Sequence, residues 1–251
     1  MQIETIGLVG LGRFGKMVYR YLPRGNYLRV YDSDPTKLEG IAEASSFQDV
    51  IASQLLILCI PISAIEPTCR DMAPRLKSGQ VVLDTCSVKE APLCSLLTLL
   101  PSYVEVLGTH PLFGPDSARE GIEGLKIALC PARIRTETYR TIRNHLEARR
   151  LVVIETTPED HDRRIAQSQA IFHLIARAIK QLGWGRHPIS TPGPSTFYHL
   201  VESVQHDTDQ LFQDLERENP YAEECRRQFI ERLGLVHKEL SRTLPRSEGS
   251  R

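Results

Sequence analysis

The chain has 251 residues, enough for one large core or two smaller ones. Lysine plus arginine equals aspartate plus glutamate at 31 each, and no long basic run occurs, which argues against a nucleic-acid or anionic-membrane partner. The six cysteines form no CxxC pair and mostly sit in apolar stretches, as small hydrophobes do in a reducing compartment. The first strand starts almost at once, without a charged leader, and no apolar run approaches the roughly 18 residues of a membrane span. A cytoplasmic protein is expected.

Thr5 to Val9 reads as a short strand running into Gly10-Leu11-Gly12-Arg13-Phe14-Gly15, with helical spacing from Lys16 to Leu22. Glycines at these three places permit a tight turn, approach of backbone to a pyrophosphate, and close helix packing. Tyr27 to Tyr31 reads as a second strand ending at Asp32, 20 residues past Gly12. A carboxylate there accepts hydrogen bonds from ribose hydroxyls and repels a 2′-phosphate, so NAD is expected rather than NADP. Arg13 and Arg29, near the ribose end, leave NADP open. The expected cofactor residues are Gly10, Gly12, Arg13, Phe14, Gly15, Asp32 and Pro61.

Leu55 to Ile60 is a continuous apolar run ending at Pro61, and Val81 to Leu83 and Val104 to Leu107 repeat the pattern. Leu125 to Cys130 and Leu151 to Glu155 look like two more strands, separated by a polar helix from Glu137 to Arg149. Strands alternating with helices imply an α/β fold, a Rossmann-type doubly wound parallel sheet, whose ligands bind beyond the carboxyl ends of the strands. Gly10, Asp32, Pro61, Ser87 and His110 all fall at such ends. His110, between Thr109 and Pro111 and bounded by Gly108 and Gly114, is expected to be displayed in a turn and not to belong to a central strand.

After Pro158 no strand-like run follows. Asp160 to Leu182, Ser195 to Glu218 and Tyr221 to Leu244 carry apolar residues at helical spacing. The expected organisation is a dinucleotide-binding domain at 1–157, an all-helical substrate and dimerisation domain at 158–244, and a disordered tail at 245–251. Three helices make a thin core, so Phe197, Leu200, Val204, Leu211 and Phe212 are expected to meet a second subunit in a homodimer. Asp160, His161 and Asp162 are metal-ligand residue types, but at a helix start they are read as cap and dipole residues, with no metal site expected.

With these residues in hand, G-L-G-R-F-G, C-S-V-K-E, G-T-H-P-L-F-G-P-D-S, E-D-H-D-R and S-Q-A-I-F-H together resemble the prephenate and arogenate dehydrogenases of tyrosine biosynthesis, over about residues 4 to 240. The resemblance implies oxidative decarboxylation: hydride leaves the ring carbon bearing the hydroxyl, carbon dioxide is lost, and the ring becomes aromatic. It implies that His110 accepts the hydroxyl proton and that Ser87 holds hydroxyl and imidazole in register. Lys89 is read as structural or near the cofactor. The helix bearing Gln169 and His173, four apart and so on one face, lines the substrate cleft in this family; with Thr191 they are assigned to substrate binding.

Two departures follow from the same likeness. The stretch F-Y-H-L-V-E-S-V lacks the arginine that grips a substrate carboxylate in many bacterial members, leaving Arg163, Arg164 or a partner-subunit residue for that role. Cys130 occupies the place where arogenate-preferring members carry an acid for the substrate ammonium, so the keto acid prephenate is the expected substrate and arogenate the alternative. A dinucleotide-binding sensor without catalysis is the reading from another class.

Overall fold

The computed structural model describes residues 3–204 and 207–242, so the tail expected at 245–251 lies outside the described residues. Seven strands among them form one sheet: β1 (Ile6–Val9), β2 (Leu28–Tyr31), β3 (Leu55–Leu58), β4 (Val81–Asp84), β5 (Glu105–Pro111), β6 (Lys126–Arg133) and β7 (Val152–Glu155). Their order is β2-β1-β3-β4-β5-β6-β7. Every residue of β1, β3 and β4 is buried, which is why those segments read as unbroken apolar runs.

Five helices accompany the sheet: α1 (Arg13–Tyr21), α2 (Phe47–Ile51), α3 (Ile62–Met72), α4 (Glu90–Leu99) and α5 (Thr136–Ala148). On one face Ile65 and Met72 of α3 and Leu96 of α4 pack with Leu58, Val82 and Val106. On the other, Ile142 of α5 packs with Leu8, Leu83 and Leu107, and Val18 of α1 joins them. The sheet is thus covered on both faces, as a doubly wound architecture requires.

The expectation of a wholly parallel sheet needs one correction. β1 to β5 pair in parallel, but β6 runs antiparallel to β5, and β7 follows β6. Residues 112–125, which join β5 to β6, contain turns and no crossover helix, and without a crossover the next strand must return in the opposite sense. One consequence concerns His110. β4 pairs with β5 only as far as Gly108, whereas β6 continues pairing through Thr109, His110 and Pro111. His110 therefore lies on a strand, in a stretch that overhangs β4, and it is only 5% exposed. It is not displayed in a turn.

Beyond the sheet, α6 (Pro158–Ile165), a π-helical turn (Ala166–Ala170) and α7 (Ile171–Gln181) form one continuous rod. The single helix expected from Ser195 to Glu218 is instead α8 (Pro192–Ser203) and α9 (Asp209–Gln213), the latter extended by a π turn over Asp214–Glu218. Thr208 makes the break, because its hydroxyl accepts from the Leu211 amide and starts a new helix. α10 (Ala222–Arg242) closes the described chain.

The largest fully buried side chain is Lys89, just before α4. Its ammonium pairs with Asp84 at the end of β4 and donates to the Thr109 carbonyl of β5 at 2.7 Å. Removing one partner of a buried pair strands the other charge, at a cost of roughly 3–5 kcal/mol. Lys89→Met is expected to lower the free energy of urea unfolding by about that amount, followed by circular dichroism; a loss below about 1 kcal/mol would show that the pair is dispensable.

Candidate active site

The Gly10–Gly15 loop leaves β1 with its glycines under strict constraint. A Cβ on Gly10, at φ +96°, would lie 2.3 Å from the Cys59 carbonyl oxygen, and one on Gly15 would lie 2.1 Å from that of Gly10. A Cβ on Gly12 meets nothing within 4 Å. The loop is therefore closed toward the protein and open where a phosphate would approach. Gly12 caps α1 without a side-chain bond, and no acid lies in the first turn. Asp32, buried at the end of β2, accepts from the Leu11 amide at 2.6 Å, from the Asp34 amide, and from Lys37 at 3.2 Å. These residues fit a dinucleotide: backbone amides for the pyrophosphate, a carboxylate for the ribose.

The structure ties Arg13 into a cross-link, with its guanidinium 2.9 Å from Asp116 and 3.9 Å from Asp207. Arg29 donates to the Asp49 carbonyl. Phe14 is half-buried in α1, and Pro61 is the exposed N-cap of α3. The amide of Ile62, beside Pro61, donates to Asp214 of the C-terminal region at 3.2 Å.

At the overhanging end of β5, His110 Nδ1 lies 2.9 Å from Nε2 of His161, and Nδ1 of His161 lies 2.7 Å from Oδ1 of Asp162. Asp162 is completely buried. Its carboxylate accepts from the backbone amides of Lys89 and Glu90, both at 2.8 Å, at the start of α4. Both amides belong to the N-terminus of α4, whose partial positive charge faces the carboxylate. Burial pushes the His110 imidazole well below its ordinary value, and the neighbouring His161 and Lys89 push in the same direction. His110 is accordingly a neutral ring near pH 7.

Sequence reasoning missed His161 and Asp162 as parts of this site. The cap they were expected to supply is made by Thr157, whose hydroxyl accepts from the Asp160 amide, while Asp160 pairs outward with Arg164. The usable signal was helical phase. His161 stands four before Ile165 and Asp162 four before Ala166, both buried, so the two polar residues share the inward face. Arg163 and Arg164 occupy the outward face, paired with Glu159 and Asp160, so the structure does not bring them to His110.

The remaining expected residues fall in three places. Ser87 is buried between β4 and α4, but among the described residues the hydrogen-bond partner of His110 is His161 and not Ser87. Cys130, opposite Gly108 on β6, is wholly buried in the core with Val106 and Leu93, and burial pushes its thiol up to about 12. It offers no surface to a ligand, so its expected contact with substrate is corrected. His173 is 7% exposed and 3.8 Å from Asp207; Gln169, in the π turn, is half-buried; Thr191 is exposed at the N-cap of α8. Among the described residues no three His, Cys, Asp or Glu side chains group as metal ligands, and no helix is long and apolar enough to cross a membrane.

A family model described as prephenate dehydrogenase, nucleotide-binding domain, matches residues 30–155, half of the chain. A second, described as TYRAAT1-like, C-terminal domain, matches residues 178–250. Arogenate dehydrogenase 1, chloroplastic, of Arabidopsis thaliana is 29% identical over 264 residues, covering 96% of this chain and 41% of its own length. Arogenate dehydrogenase 2, chloroplastic, of the same plant is 29% identical over 252 residues, covering 95% of this chain and 69% of its own. The chain thus spans well under half of the first relative. Among solved structures, prephenate dehydrogenase from Aquifex aeolicus in complex with hydroxyphenyl propionate and NAD+ superposes with a TM-score of 0.75 at 18% identity, covering 96% of this chain and 92% of that one. Synechocystis arogenate dehydrogenase gives 0.67 at 21%, covering 95% and 92%. These structural likenesses show the fold.

Burial pushes the His173 imidazole from its ordinary 6.5 down to about 4. Between those values the unfolded chain binds more protons than the folded one, so stability rises with pH. The contribution is complete above about 6.5 and disappears as pH falls toward about 4, amounting to roughly 1–3 kcal/mol, with the Asp207 carboxylate opposing it. His173→Gln is expected to flatten the loss of unfolding free energy between pH 6.5 and 4. An unchanged slope would place the acid sensitivity elsewhere.

Proposed function

The chain belongs to the prephenate dehydrogenase family, and on that premise we propose that it oxidatively decarboxylates a cyclohexadienyl acid of tyrosine biosynthesis, with His110 accepting the proton of the ring hydroxyl. The observation that carries the reading is the placement of His110: a neutral imidazole on the overhanging end of β5, engaged at Nδ1 by His161, with Nε2 left for a substrate. A nicotinamide dinucleotide, when bound, supplies the hydride acceptor. Gly10, Gly12 and Gly15 would hold its pyrophosphate and Asp32 its ribose, and the charge of Asp32 supports NAD over NADP.

The protein's own task is positioning and proton removal. Aromatisation drives the reaction forward, so the site has to hold the hydroxyl against the base and keep bulk water away from the reacting carbon. Ser87, buried beside the start of α4, is the proposed second contact to the hydroxyl. His173 and Gln169, one turn apart along the α6–α7 rod, are the proposed substrate side, with Thr191 beyond them.

Prephenate and arogenate share the ring chemistry and differ in a keto or amino group. Prephenate is the substrate favoured by the matching family model, which is described as prephenate dehydrogenase. The second reading, arogenate, is favoured by Asp207, whose carboxylate lies beside His173 and suits an ammonium, and by the plant relatives, which are named arogenate dehydrogenases. A homodimer through the helical region is proposed from Phe197 and Leu200, 38% and 48% exposed on α8, and a cytoplasmic location remains the proposal.

Reduction of NAD and NADP followed at 340 nm, with prephenate and arogenate offered in parallel, tests the reading. Turnover of at least one acid is expected, faster with NAD, and His110→Asn should reduce kcat by about 10² to 10⁴ while NADH still binds. Asp32→Ser should narrow the preference between NAD and NADP. Tight NADH binding with no turnover of either acid would instead support a dinucleotide sensor.

A further inference from the structure

The hydrogen bonds around His110 determine where its protons sit. Asp162 is an anion that only accepts, so His161 must donate to it from Nδ1. With one proton per ring, Nε2 of His161 then accepts, and Nδ1 of His110 donates across the 2.9 Å contact. Nε2 of His110 is left with its lone pair turned away from the pair. The second nitrogen of a histidine is set by the partner of the first, and here the whole order descends from one buried carboxylate.

Charge in the cluster supports a further step. Near the two rings are Asp162 from α6, in contact with His161, and Lys89, which acts on His110 and is itself paired with Asp84. One cation and two carboxylates leave a single negative charge, and a proton arriving from outside would balance it. His161 touches Asp162 directly, and His110 does not. A positive charge on the His161 ring would therefore touch a carboxylate, and one on the His110 ring would not.

We propose that His161 and Asp162 are positioning residues for His110, a relay that keeps its proton on Nδ1 and takes up the charge that the base acquires. The inference rests on the function proposed above. As hydride leaves the ring carbon, the hydroxyl proton bonds to Nε2 of His110, and the Nδ1 proton moves to Nε2 of His161. The imidazolium so formed is paired with Asp162. After product leaves, the proton on Nε2 of His161 returns to Nδ1 of His110, and Nε2 of His110 releases its proton to water. The relay also explains how a ring whose burial makes it a poor proton holder can serve as a base: the charge comes to rest one ring away, beside a carboxylate.

The test uses the full chain labelled with ¹⁵N at histidine. Long-range proton–nitrogen correlation at pH 7 should show His110 and His161 both protonated at Nδ1. In His161→Leu, which offers no acceptor, His110 should lose that preference. In His161→Gln, whose amide oxygen can accept, it should be retained. With turnover as the second readout, His161→Leu should lower kcat by about 10² to 10⁴ with the Kd for NADH unchanged. His161→Gln should retain more activity and shift the acid limb of the kcat profile, because the base then has no neighbour to share the proton.

Protonation of His110 at Nε2 in the wild type, a tautomer unchanged in both variants, or a kcat within threefold of wild type in folded His161→Leu would each overturn the relay. If His161→Leu fails to fold, the tautomer and pH profile of His161→Gln decide. A wild type that binds NADH and turns over neither acid overturns the function and not the relay, since the nitrogen spectrum of that same sample still reads the tautomer.

Discussion

One buried carboxylate, that of Asp162, connects nearly everything that matters in this molecule. It accepts from two amides at the start of α4, which anchors the α6 rod to the sheet region, and from His161, which in turn holds His110. Its backbone carbonyl receives the side chain of Asn219 from the segment before α10, so the last helix is registered against the same point. An isolated buried charge would cost several kcal/mol; three donors and a helix dipole offset that cost only in one geometry. The charge therefore specifies an arrangement as much as it stabilises one.

A second buried pair, Lys89 with Asp84, does for the sheet what Asp162 does for the helices. Lys89 spans from β4 to the Thr109 carbonyl, and Thr109 returns a hydroxyl bond to the Asp84 carbonyl at 2.6 Å. These contacts sit where β4 stops and β5 continues. An overhanging strand end held on one side by β6 would otherwise be free to fray. Clamped in this way, it presents the next residue, His110, on a fixed backbone, as the role proposed for that ring requires.

Much of this was legible from residues alone, and the failures have physical causes. The β1 loop, Asp32, the seven strands and the change to helices after Pro158 follow from periodicity and glycine placement, because these are local properties. The direction of β6 was not legible, since it depends on the missing crossover in 112–125, and with it went the expectation that His110 sits in an open turn. Cys130 was expected at a ligand position from the resemblance, yet its side chain packs in the core with Val106, and depth is a property of packing. His161 and Asp162 were read from their position at a helix start. Thr157 already fills that role, and an Asp with no terminus of its own to cap was free to cap another helix.

That last observation bears on where an anion can bind. Three helices start at the carboxyl edge of the central strands: α1 after β1, α3 after β3 and α4 after β4. Each presents partial positive charge from its first amides. Asp214 occupies the start of α3 and Asp162 that of α4, in both cases reaching over from the C-terminal helical region. α1 has neither an acid in its first turn nor a side-chain bond from its cap. At α3 and α4 a carboxylate already takes the first amides, whereas at α1 the nearby Asp32 and Asp116 bind the Leu11 amide and the Arg13 side chain and leave open space beside Gly12. Acids of the helical region thus cap the other two helix starts, and the Gly10–Gly15 loop is the start that glycine backbone leaves open.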